Sequence, residues 1–106
     1  MAKYLIRGSY TAEGTKGLLK EGGTKRVAAV EKVIAGLGGR LDALYFTFGD
    51  ADVLAIIDVP DAASAAAFSL AVSATGAVQT STTPLLTPEE IDQACKKSVK
   101  YRAPGA

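Results

Sequence analysis

Five side chains have the types and the spacing to do chemistry together: Arg7, Ser9, Tyr45, Thr47 and Asp52. An arginine fixes an anion or a carboxylate through a planar fork of donors. Serine and threonine hydroxyls orient polar groups, and a tyrosine or an aspartate can move a proton. Arg7 and Ser9 alternate along LIRGSY, and Tyr45, Thr47 and Asp52 flank the turn in LYFTFGDADV. They come together only if both stretches are strands of one sheet. Such a set supports three readings. It lines a compartment for a small polar or anionic ligand, it holds two copies in register, or it is an acid/base site with Tyr45 or Asp52 moving the proton and Arg7 stabilising an anion. Asp52 or Asp58, from the same or a second subunit, is the natural partner for Arg7.

The remaining composition narrows the chemistry. The chain contains no histidine and a single cysteine, Cys95. Ser-His and Cys-His nucleophile pairs are therefore absent, as are Cys/His zinc sites, and we expect neither a metal nor a cofactor. Asp50 and Asp52 straddle the turn, where aspartate is common for conformational reasons. The segments GSYTAEG and KEGGTKR carry Gly, Lys and Thr but do not match the phosphate-loop spacing. Lys20, Lys25 and Arg26 around Gly22-Gly23 read as solvated surface charge. Cys95 at a helical apolar position reads as buried and inert.

With 106 residues, 48% hydrophobic, 22% charged and a net charge of +1, the chain suits one domain spanning 1–106. Its charge balance gives no field for nucleic acid or an anionic membrane surface. No apolar run reaches the ~20 residues of a membrane helix. MAKYLIRGSY alternates apolar and polar residues, which makes it a strand rather than a signal peptide. One cysteine allows no intrachain disulfide, which fits a cytoplasmic location.

The elements that position the five residues follow from periodicity. Residues 3–10 read as the first strand. Thr11 caps a short helix through Lys20, and Gly22-Gly23 ends it. Residues 24–37 form an amphipathic helix with Val27, Val30, Ile34 and Leu37 on one face. Residues 41–60 then form a hairpin. A Gly49-Asp50 type II′ turn sets its register, opposing Phe46 to Val53, Leu44 to Ala55, Thr47 to Asp52 and Leu41 to Asp58. Asp61 caps an alanine-rich helix over 62–75, whose small side chains predict close approach to the sheet. Residues 77–86, with Pro84, read as an edge strand. Thr87, Pro88 and Glu90 start a last helix, and a tail follows from about 98.

This order, βαββαβ with an extra C-terminal helix, is that of an α+β ferredoxin-like fold with a four-stranded antiparallel sheet. Strands one and three lie at its centre. Both helices cover one face, so the other face exposes Leu5, Leu41, Ala43, Tyr45, Leu54 and Ile56. A bare apolar face predicts a homodimer packed sheet against sheet, a dimeric α/β barrel. Tyr101 and Arg102 then have a neighbouring subunit on which to dock.

YLIRGSYTAEGTKGLLKEGGTKR, LYFTFGDADVLAIIDVPD and LTPEEID resemble the GYD domain family over nearly the whole chain. The resemblance implies a small bacterial protein of the dimeric α/β-barrel type, and the family as a whole has no established biochemical activity. Gly49 and Asp52 match its signature, and Ala51 stands where the signature tyrosine is expected. Function thus reduces to a homo-oligomeric small-molecule-binding domain, with an enzyme of the cofactor-independent kind and a purely structural subunit as alternatives.

Overall fold

Thr11 divides the first strand from the first helix and ties both to the far side of the sheet. Its hydroxyl oxygen accepts from the Gly14 amide at 3.2 Å and donates to the Gly76 carbonyl at 2.9 Å. In the computed structural model, which describes residues 1–106, the elements are β1 (Ala2–Tyr10), α1 (Ala12–Glu21), α2 (Gly23–Gly36), β2 (Arg40–Phe46), β3 (Val53–Val59), α3 (Ala62–Ala74), β4 (Val78–Leu85) and α4 (Pro88–Lys96). The sheet is antiparallel in the order β2-β3-β1-β4, which is the ferredoxin-like arrangement with β1 and β3 central. Gly22 adopts φ +85° between α1 and α2, and Gly38 adopts φ +79° after α2. Both need the left-handed region that glycine enters freely. Thr87 and Glu90 form the expected reciprocal cap at the start of α4.

The core lies between the sheet and the helices. Ile6, Ala55, Ile57 and Val59 from the sheet meet Ile34 of α2 and Ala65 and Phe68 of α3. Ile34, Ile57 and Val59 are wholly buried. Each such side chain stabilises the fold by about 1.5–3 kcal/mol. Ala65 alone among the alanines of α3 is buried, so close approach is confined to that point. Further along, α3 is held to β4 by paired hydroxyls, Ser69 with Thr82 and Ser73 with Thr80, the latter at 3.1 Å.

Two details of the hairpin differ from expectation. Phe46 opposes Val53 and Leu44 opposes Ala55 as predicted, but a bulge at Asp42 places Leu41 opposite Ile57 instead of Asp58. One extra residue reverses the facing of everything before it, so Leu41 joins the core side. The type II′ turn is also absent, because Gly49 has no positive φ and the strands end at Phe46 and Val53. Residues 47–52 instead form a wider loop. The Thr47 amide donates to the Asp52 carbonyl at 2.8 Å and the Thr47 hydroxyl donates to the Ala51 carbonyl, which closes the loop without a left-handed residue. Beyond Leu85 the chain leaves the body. Every residue from Leu86 to Ala106 is exposed, including Ile91, Val99, Tyr101 and Cys95, so the expectation of a buried cysteine does not hold.

The two interior glycines of α1 provide a direct test of this packing. A Cβ on Gly14 would lie 2.0 Å from the Ala77 carbonyl oxygen, whereas one on Gly17 would meet nothing within 4 Å. The same substitution on one helix therefore has opposite signs. Gly14→Ala is expected to destabilise by about 1–3 kcal/mol through overpacking. Gly17→Ala should stabilise by about 0.5–1 kcal/mol, because alanine restricts the unfolded chain. Urea unfolding of the two variants measures both, and equal shifts would show that α1 does not press on residue 77.

Candidate functional site

Strand alternation divides the five residues between two sides of the sheet. On the face without helices, Tyr45, Leu54, Arg7 and Ser81 form one row across all four strands. The next row is Ala43, Ile56, Leu5 and Thr83, and the third contains Asp58, Lys3 and Leu85. Ser9 lies beside Gln79 at the other end. Arg7 and Ser9 share a shallow groove of about 280 Å³ with Asp50, Ala51, Gln79, Thr80 and Ser81. The Ser9 hydroxyl donates to the Asp50 carbonyl at 3.2 Å. Tyr45 is 70% exposed in the same row as Arg7, with Leu54 between them.

Thr47 and Asp52 are drawn toward the helices instead. Pairing of β1 with β3 ends at Gly8–Val53, although β1 continues to Tyr10. The Asp52 carboxylate supplies the missing acceptor, taking a hydrogen bond from the Tyr10 amide at 2.8 Å. It therefore opens, with Thr47, into a pocket lined by Tyr10, Leu18, Gly23, Phe46 and Phe48. Asp52 and Arg7 form no ion pair within the chain, and neither do Asp58 and Arg7.

The Asp42 bulge assembles a charge cluster that strand alternation alone does not reveal. Lys3 bonds Asp42 and reaches Asp58 at 3.3 Å, while Arg40 bonds Asp42 at 2.9 Å and approaches Asp58 at 3.5 Å. Asp58 is 7% exposed and its Oδ1 has no partner. The Lys3 ammonium, then the Arg40 guanidinium, hold the Asp42 carboxyl below its ordinary value, and Asp42 in turn raises Lys3.

A second compartment lies on the helix side, between the sheet, α2 and α3. It is a cleft of about 270 Å³, lined by Ile6, Gly8, Val30, Leu44, Val72 and Ala71 with Arg26 and Tyr10 at its polar end. The Arg26 Nε is shut away from solvent without an acceptor, and its Nη1 lies 3.7 Å from the Glu21 carboxylate. Burial raises the Tyr10 hydroxyl above its ordinary pKa; Arg26 opposes the shift, and Glu21 and Asp52 add to it. Tyr10 therefore remains a neutral phenol that can donate or accept. Arg26 was read from sequence as surface charge. Its position on the Val30 and Ile34 side of the helix, four residues before Val30, was the available signal.

The profile of the GYD domain family matches residues 4–95. The chain belongs to the GYD domain family. No curated protein and no solved structure matches it. In this GYD domain Gly49, Ala51 and Asp52 lie on the 47–52 loop. Ala51, where the signature tyrosine is expected, is 8% exposed and borders the Arg7 groove. The loop thus joins the two sides, with Ala51 facing the groove and Asp52 the helix-side pocket.

The charge cluster has a defined pH response. A depressed Asp42 contributes stability that is complete above its ordinary value of 3.8 and is lost as pH falls through the lower folded value. A raised Lys3 contributes below 10.5 and loses its contribution as pH rises past that point. Thermal unfolding of wild type and Asp42→Asn should therefore differ between these limits and converge in acid. A constant gap down to the lowest pH at which the protein folds would show that Asp42 acts through packing rather than charge.

Proposed function

We propose that this GYD domain is a homodimeric small-molecule-binding module, with its two open sheet faces packed together and a ligand compartment in the helix-side cleft of each protomer. The observation that carries the assembly is the open face itself. Leu5, Ala43, Leu54 and Ile56 form its centre, and no helix of the chain covers them. Contiguous apolar surface of this kind marks an association site.

Charge complementarity selects a second copy as the occupant. Arg7 lies one row to one side of the Leu5–Ile56 row, and Asp58 lies one row to the other side. A two-fold axis running across the strands at the central row would bring each Arg7 over the Lys3–Asp58 row of its partner. Each Arg7 would then lie near the Asp42 and Asp58 carboxylates, which Lys3 and Arg40 engage within the chain, and register would be fixed by this charge contact. The exposed arm from Leu86 to Ala106, with Ile91, Val99 and Tyr101, supplies further surface for the neighbouring protomer.

An acid/base reading draws less support from this geometry. The Tyr45 hydroxyl belongs to the open face, and the Asp52 carboxylate is engaged with the Tyr10 amide at the other side. Arg7 forms no ion pair with the Asp52 carboxylate.

Sedimentation tests the assembly. Wild type is expected to be dimeric, and Leu54→Arg monomeric with unchanged far-UV circular dichroism. Arg7→Ala should weaken the dimer by about 2–5 kcal/mol, as expected when one member of a buried charge pair is truncated. A double-mutant cycle of Arg7→Ala with Asp58→Asn should give a coupling above about 1.5 kcal/mol. A monomeric wild type would refute the assembly. An Arg7→Ala dimer of full strength would refute the proposed register.

A further inference from the structure

We propose that the pocket between α1, the start of α2 and the 47–52 loop binds a small organic ammonium ion, with its charged nitrogen on the Asp52 Oδ1 and its apolar stem among Phe46, Phe48 and Tyr10. This goes beyond the reading above, which concerns the neighbouring cleft between the sheet, α2 and α3.

Charge sets the sign of the ligand. Among the residues that line this pocket Asp52 alone is charged, and it takes part in none of the ion pairs of the chain. No cation of the protein answers it. The start of α2 at Gly23 contributes only a fractional positive charge, about half a unit at most, against the full charge of the carboxylate. An anionic ligand is repelled here and a cation is drawn in.

Hydrogen bonding makes the same selection. The Asp52 Oδ2 accepts from the Tyr10 amide at 2.8 Å, whereas the Oδ1 makes no hydrogen bond and remains open to solvent. One oxygen fixes the carboxylate and the other is free. Its backbone is held as well, because the Asp52 amide donates to the Gly8 carbonyl and the Asp52 carbonyl accepts from the Thr47 amide, both at 2.8 Å. The Thr15 hydroxyl gives its proton to the Thr11 carbonyl at 3.0 Å, and the Thr47 hydroxyl gives its proton to the Ala51 carbonyl. Toward a ligand both threonines can therefore only accept. An ammonium group, with donors and no acceptor, matches these oxygens.

The remaining walls define the stem. Leu18, Phe46, Phe48 and Tyr10 surround a space of about 420 Å³, within the range of about 300–1,000 Å³ that holds small ligands. Phe48 is wholly exposed, so its ring has no packing role within the chain. Such rings accept a hydrocarbon stem, and an ammonium placed over a ring face gains further.

Three probes of nearly one shape separate these factors: benzylamine, benzyl alcohol and benzoate. Titration of the full chain, followed by amide chemical shifts, should show benzylamine binding most tightly, with shifts at Gly23, Thr47 and Phe48. Asp52→Asn keeps a carbonyl acceptor for the Tyr10 amide and removes the charge, so it should weaken benzylamine about tenfold or more and leave benzyl alcohol unchanged. Phe48→Ala, which gives up no burial within the chain, should weaken benzylamine and benzyl alcohol alike; circular dichroism verifies the fold of both variants. Because the pocket lies on the helix side of one protomer, the monomeric Leu54→Arg variant should bind benzylamine as wild type does. Benzyl alcohol or benzoate binding as tightly as benzylamine, or a benzylamine preference that survives in Asp52→Asn, would overturn the proposal. So would the absence of benzylamine binding, or shifts at Val30 and Val72 in place of Gly23 and Phe48, which would put the amine in the neighbouring cleft.

Discussion

A sheet of four strands has two faces, and this chain has helices for only one. That imbalance, set by the pairing of β1 with β3 from Ala2–Val59 to Gly8–Val53, governs the rest of the molecule. Along that pairing, residues alternate between a side that meets Ile34, Ala65 and Phe68 and a side that no helix covers. The covered side takes Ile6, Ala55 and Ile57; the uncovered side takes Leu5, Leu54, Ile56 and Arg7. Burial on the first side supplies the stability. The second remains apolar at its centre without a helix to cover it.

Departures from strict alternation place the charged groups. The bulge at Asp42 turns Leu41 into the core and brings Asp42 to Lys3 and Arg40, which makes a charged end to an otherwise apolar face. Because β3 begins only at Val53, the Tyr10 amide has no partner on that strand, and the Asp52 carboxylate replaces it. Each irregularity is small in backbone terms. Each moves a carboxylate from the place that period-two counting assigns it.

The legible part of the sequence was the part governed by periodicity and caps. The 3–4 spacing of Val27, Val30 and Ile34, the Thr87–Glu90 box, and the alternation of β1 and β3 all depend on neighbours within a few residues, so the βαββαβ order and central strands followed from them. What escaped depended on contacts between distant segments. Nothing local in GDAD distinguishes a tight Gly49-Asp50 turn from the wider loop, because the deciding bonds run from Thr47 to Ala51 and Asp52 and from Asp52 to Gly8. The grouping of Arg7, Ser9 and Tyr45 on one face was readable; the diversion of Thr47 and Asp52 was not. Cys95 was assigned to a buried helical face because amphipathic spacing shows that a helix has an apolar side, and does not show whether the chain itself covers that side.

The alanines of α3 connect these points. Small residues permit close packing only where the opposing surface rises to meet them, as it does at Ala65. At Ala71, the small side chain borders the cleft between the sheet, α2 and α3. A larger side chain at Ala71 would fill part of that space. The chain instead forgoes that burial where Arg26 has a donor without an acceptor and Tyr10 a neutral hydroxyl. An unfilled apolar volume and an unmet donor are each unfavourable alone. Together they leave an apolar cleft beside a polar group that the chain itself does not satisfy.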